Sequence, residues 1–174
     1  MTGWLRRFLA EEEGALAIEF VILFPFVFGL FLSTFELGTV LTQQVMLDRA
    51  LDMAVREVRL GRLGPVTHDA LKARICRGAA IIPDCAGQIR LEMRPIDPRA
   101  WPMLPDTADC LDRGNAAAPV RTFTPGASNS LMLLRACVLV DPYFPTTGLG
   151  AALLRQGGGG FALVSTAAFV VEPS

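Results

Sequence analysis

The residues that could do chemistry in this chain are few. There are four cysteines, at 76, 85, 110 and 137, one histidine, His68, and a carboxylate, Glu19, set inside an apolar run. The cysteines form no C-x-x-C pair, and His68 is the only nitrogen ligand on offer, so the spacing predicts no metal site. His68 sits beside Asp69 with no nucleophile identifiable near it, and neither G-x-S-x-G nor a phosphate-cradling glycine loop occurs. The glycine run at 157–160 lacks the order of a dinucleotide fingerprint. Asp106, Asp109 and Asp112 lie in a loop without the glycine-centred spacing of a calcium site. No catalytic residue, metal or cofactor is expected, and the chain reads as a non-enzyme.

Glu19 acquires meaning from what surrounds it. From Ala15 to Leu32 the chain reads ALAIEFVILFPFVFGLFL, with Glu19 its one charge and Pro25 its one helix breaker. Eighteen residues at 1.5 Å rise span about 27 Å, the short end of a bilayer crossing, and Ser33 to Phe35 extend it. A cleaved signal peptide would have a shorter apolar core and a small-x-small exit, which Gly29 to Thr34 does not offer. The only basic residues before the span are Arg6 and Arg7, and the next is Arg49. That asymmetry places the N-terminus in the cytoplasm and the rest of the chain across the membrane. Trp4 suits an interfacial anchor, and Trp101 a surface contact or a core plug.

Composition agrees with an anchored protein. The 174 residues are 52% hydrophobic and 19% charged, and the mean hydropathy is +0.42. A net charge of −1 leaves no basic field for nucleic acid. Beyond the span, Val40 to Leu60 contains neither glycine nor proline, and Leu47, Leu51, Ala54 and Val58 draw one apolar stripe. Residues 15–60 are therefore expected to form one helix of roughly 70 Å, closed by Gly61, Gly64 and Pro65.

The outer part reads as a small domain. Thr67 is placed to cap a helix over 68–77 that turns Leu71, Ile75 and Cys76 inward. Residues 88–96 alternate as a half-buried strand, with Ile89, Leu91 and Met93 on the buried face. Leu131 to Val140 is apolar on both faces apart from Arg135, as a central strand would be. A proline-rich loop over 97–128 separates the two strands. DPYFPTTG makes a turn, LGAALLRQ one or two helical turns, and Phe161 to Val171 a closing strand. The fold class expected is α+β: a long transmembrane helix extended into a small antiparallel sheet, in a lollipop outline. The divisions are a leader at 1–14, a membrane helix at 15–38, its extension at 39–61 and an outer domain at 62–174. An even cysteine count facing an oxidising compartment suggests two disulfides. Three connectivities are open, of which we favour Cys76–Cys85 with Cys110–Cys137.

Gly14 followed at once by Ala15, with Glu19 fifth after the glycine and Phe20 next, resembles the processing site of type IV pilins and pseudopilins. The stretch GALAIEFVILFPFVFGLFLSTFELG, continuing through LTQQVMLDRALDMAVREVR, resembles the TadE-like proteins of tight-adherence (Flp-type) pilus systems. Gly14, Glu19, Phe20, Pro25 and the Phe35-Glu36-Leu37-Gly38 element carry the likeness, and STAAFVVEPS at the C-terminus echoes it. Phe20 departs from the tyrosine frequent in the pilin subclass. The resemblance implies a bacterial inner-membrane protein, with a periplasmic outer domain, that stays in the membrane or enters the pilus. It implies cleavage after Gly14 by a prepilin-type peptidase that leaves the apolar helix in place. It also implies Glu19 and Glu36 as contacts to neighbouring pilins or pseudopilins on an inner-membrane assembly platform. The role implied is that of a minor pseudopilin acting in assembly, initiation or the tip. The alternative is an unprocessed, signal-anchored periplasmic binding or adhesion module, which needs neither Gly14 nor Glu19.

Overall fold

In a computed structural model, residues 13–97, 99, 110, 122–154 and 160–172 are described, with side chains from residue 17 onward. Most of the expected leader, Trp4, Trp101, the three loop aspartates, most of the proline-rich loop and most of the glycine run lie outside these residues.

One helix, α1 (Glu13–Arg59), runs from the start of the apolar stretch to the end of the amphipathic one. Pro25 lies inside it, where it removes one ladder bond. From Ala17 onward this helix is long and apolar enough to cross a membrane once. The threonine hydroxyls at the upper end of the apolar stretch bond back to the helix: Thr34 donates to Leu30 O at 2.9 Å and Thr42 to Gly38 O at 2.7 Å. Such back-bonding costs little and gives these donors an acceptor within the helix. At the other end Gly61 adopts φ +64°. Its N–H reaches Val58 O at 3.1 Å, while Arg62 N–H reaches Glu57 O at 2.9 Å. These crossed bonds are a Schellman stop, and glycine takes the left-handed position because a Cβ is disfavoured there.

Beyond it come α2 (His68–Gly78), α3 (Cys85–Gln88), β1 (Arg90–Pro95), β2 (Leu131–Val140), α4 (Gly148–Leu154) and β3 (Phe161–Val170). Thr67 caps α2, accepting from Ala70 N–H at 3.2 Å. The sheet order is β1-β2-β3, antiparallel throughout, with Glu92 opposite Arg135 and Arg135 opposite Thr166. The central strand is thus the one whose sequence is apolar on both faces. The strand expected over 88–96 starts two residues later, because Cys85 to Gln88 wind into a helical turn closed by Ile89 N–H on Cys85 O at 2.8 Å.

The core lies between the sheet and the upper half of α1. Leu47, Leu51 and Ala54 are fully buried against Leu71 and Ile75 of α2 and against Leu91, Leu134 and Val138 of the sheet. Gly78 lets α2 cross α1 closely, since a Cβ there would come within 2.9 Å of the Ala50 Cβ. Neither outer strand has a bare edge along its whole length. Met93 of β1 donates to Thr122 O and accepts from Thr124 N–H, and Gln44 of α1 donates to Val164 O of β3 at 3.0 Å. Partial cover of this kind discourages pairing with another sheet.

Disulfides join Cys76 to Cys85 and Cys110 to Cys137. The first ties the end of α2 to α3; the second ties the loop before residue 122 to β2. With sequence separations of 9 and 27, the chain-entropy model assigns about 3 kcal/mol to each, somewhat more to the longer loop.

Candidate assembly site and the Glu36 latch

The apolar part of α1 stands alone. Ile18, Phe20 and Phe26 are 60–75% exposed, and Phe20, Phe24 and Phe28 stack in a ladder with ring centroids 5.2 and 5.4 Å apart. None of the described residues of the domain covers this face, which suits contact with lipid or with other helices. Glu19 lies exposed on this helix, and its carboxylate has no partner among the described residues. Gly14 and Ala15 fall in the first turns of α1. An unpaired carboxylate on an apolar helix is costly in lipid, and a cation brought by a neighbour would offset that cost.

Glu36 behaves differently. It follows Glu19 by seventeen residues, about 26 Å up the helix and about 100° around it. That rotation turns it toward the domain, where it is 1% exposed. Its Oε1 accepts from Tyr143 N–H at 3.1 Å and its Oε2 from Phe144 N–H at 2.9 Å. Phe35 meets the rings of Tyr143 and Phe144 edge-on, with centroids at 6.2 and 5.9 Å. Both oxygens of Glu36 are thus spent inside the chain. Glu36, expected from the sequence as a contact to neighbouring subunits, forms within this chain a latch that fastens the turn after β2 to the helix where the apolar stretch ends. The pairing spans 107 residues of sequence, and no local pattern announces it. The available signals are a glutamate closing an apolar run and an uncharged aromatic turn elsewhere.

Two other charged pairs steady the domain. Glu57 of α1 takes Arg74 of α2 in a two-pronged bond, Nε to Oε2 and Nη2 to Oε1, both 2.7 Å. Hydrogen bonding from Arg74 holds the Glu57 carboxyl below its ordinary range against the opposing effect of burial, with the charges of Arg74, Arg77 and Arg62 assisting. The same bond raises Arg74. Because the folded value is the lower one, this stabilisation is complete above the ordinary carboxylate range and is lost as pH falls through the folded value. Acid titration of unfolding should therefore show a loss of stability as pH falls below the ordinary carboxylate range that is smaller in Glu57→Gln; identical acid profiles would contradict this role. Arg59 and Glu172 pair at 3.0 Å in the open, where such bonds contribute little.

His68 has a structural setting. Its Nδ1 lies 3.2 Å from Asp69 Oδ1 and its ring stands edge-on to Phe123 at 5.5 Å. Among the described residues no three His, Cys, Asp or Glu side chains gather where they could hold a metal ion.

Comparison with known proteins gives one match. Residues 14–56 fit the family model described as TadE-like protein. No curated protein and no solved structure matches the chain. The matched segment begins at Gly14, contains both Glu19 and Glu36, and ends within the core stripe. Residues 14–56, about a quarter of the chain, are thus similar to the TadE-like family from the apolar helix into the domain it supports.

Proposed function

We propose that the protein is a minor pseudopilin of a tight-adherence pilus, cut after Gly14 by a prepilin-type peptidase and acting in assembly, initiation or the tip. The observation that carries this reading is the family match beginning at Gly14, on a chain whose Glu19 lies unpaired on an uncovered apolar helix. The TadE-like segment links the protein to a pilus system and the membrane; the subunit role and the cleavage are our inference. Its partners would be other pilins or pseudopilins, the peptidase and the inner-membrane platform. The N-terminus would lie in the cytoplasm and the disulfide-bonded domain in the periplasm. Size favours a minor part, since major Flp-type pilins are far shorter than 174 residues.

Removal of the leader would free the amino group of Ala15. That cation could pair with Glu19 of a neighbouring copy or relative, and in lipid such a pair favours one register of assembly over others. Gly14→Leu is the direct test. The variant should insert, keep its leader, and be missing from pili and assembly complexes isolated from its own host. Normal pili containing the uncut variant would overturn the proposal in favour of an unprocessed, anchored binding module.

A further inference from the structure

We propose that the turn after β2 and α4 form a seat by which the outer domain rests in the headgroup layer of the bilayer, its partner there being the lipid surface itself. From Pro142 to Leu154 the sequence reads PYFPTTGLGAALL, thirteen residues without a charge. The latch fixes this segment at a definite height. Tyr143 and Phe144 bond Glu36, and the Cα of Gly148 faces the Ser33 side chain so closely that a Cβ would strike the Ser33 hydroxyl. Counting twenty residues, about 30 Å, from Ala15, where the apolar run begins, puts the far boundary of the hydrocarbon at Thr34. Ser33 lies one residue short of that boundary. The start of α4 therefore sits at the level where the helix leaves the acyl chains.

The exposed chemistry suits that level. Tyr143 is about half exposed, 55%, and tyrosine, an aromatic ring with one polar end, concentrates at membrane interfaces; Phe35 beside it is 48% exposed. Pro145, Thr146 and Thr147 are exposed as well, and offer hydroxyls but no charge. A groove of about 330 Å³ opens just above this level, between Phe35, Gly38, Thr39, Thr42, Gln43, Ile81 and Tyr143. The seat is continuous with the lipid-facing surface of α1 just below it, which is what selects lipid over a protein partner. Held this way, the domain could neither swivel freely about α1 nor lift from the membrane without breaking the Glu36 bonds.

The inference rests on α1 crossing the membrane, not on the pilus role. All four cysteines are in disulfides, so an added cysteine supplies a unique thiol. Fluorophores would be placed at Thr146→Cys, at Phe28→Cys within the span, and at Ser128→Cys near Gly61, in full-length protein carried one chain per nanodisc. Lipids bearing a nitroxide at a shallow acyl position should quench the Thr146 label several-fold more than the Ser128 label. Quenching at Thr146 no greater than at Ser128, with Phe28 quenched by a deep nitroxide, would overturn the seat. Shielding of Thr146 that arises only when many copies share a vesicle would also overturn it, naming a second copy as the occupant. An unquenched Phe28 label would instead refute the membrane span on which the seat depends.

Discussion

Replacing Glu19 with alanine is expected to leave membrane insertion intact and to remove the protein from the pilus or its assembly complex. The carboxylate makes no bond to a described residue of its own chain, so folding of the distant domain should not register its loss. Insertion should be helped, because a carboxylate in the apolar span carries a cost of up to about 2.5–3.5 kcal/mol. Assembly is where the loss falls. If Glu19 matches a freed amino group on a neighbour, removing it strands that cation in lipid, at about 3–5 kcal/mol. Incorporation should then drop on the order of a hundredfold or more. The amount of variant in membranes and in sheared pili, each compared with the unaltered protein, measures this. Glu19→Ala incorporated at the normal level would remove the pairing from the account.

The second large effect belongs to Glu36. Glu36→Ala leaves the N–H groups of Tyr143 and Phe144 without their acceptor at a buried site. Hydrogen bonds to carboxylates of this kind contribute about 1.5–3 kcal/mol each, so with both lost local opening of the turn should become easier by about 3–6 kcal/mol. Hydrogen exchange reads this directly. The amides of Tyr143 and Phe144 should exchange at least about thirty times faster, while those of β2 hold their protection. Glu36→Gln keeps one acceptor oxygen and should fall between. Unchanged exchange at both amides would show that the latch does not operate in the membrane-bound protein.

The parts of the fold legible in the sequence are those set by local periodicity. Leu47, Leu51, Ala54 and Val58 recur at helical spacing and are buried under the domain together with Ala50 and Val55 of the same helix. Leu131 to Val140, apolar on both faces, is the central strand. Thr67 sits where a cap is needed and forms one. What local pattern does not encode is contact between distant segments. The Glu36 latch joins the helix to a turn 107 residues later; the same glutamate read alone looks like a stop to the membrane span or a free contact. The start of β1 was obscured for a related reason. Alternation continues back through Gln88 and Ile89, but after the Asp84 turn, with φ +45°, Gln88 ends a helical turn and Ile89 caps it. The candidate site divides in the same way. Gly14 and Glu19 stand out through their resemblance to a pilin processing motif directly before an apolar helix, whereas the pairing proposed for Glu19 would be made with another chain.

The most direct measurement is N-terminal sequencing of the protein purified from the membranes of its own host. A chain beginning at Ala15 is predicted, as cleavage after Gly14 by a prepilin-type peptidase requires. A chain beginning at Met1 would contradict the pseudopilin account, and would leave an anchored periplasmic module with Glu19 at the rim of its membrane helix.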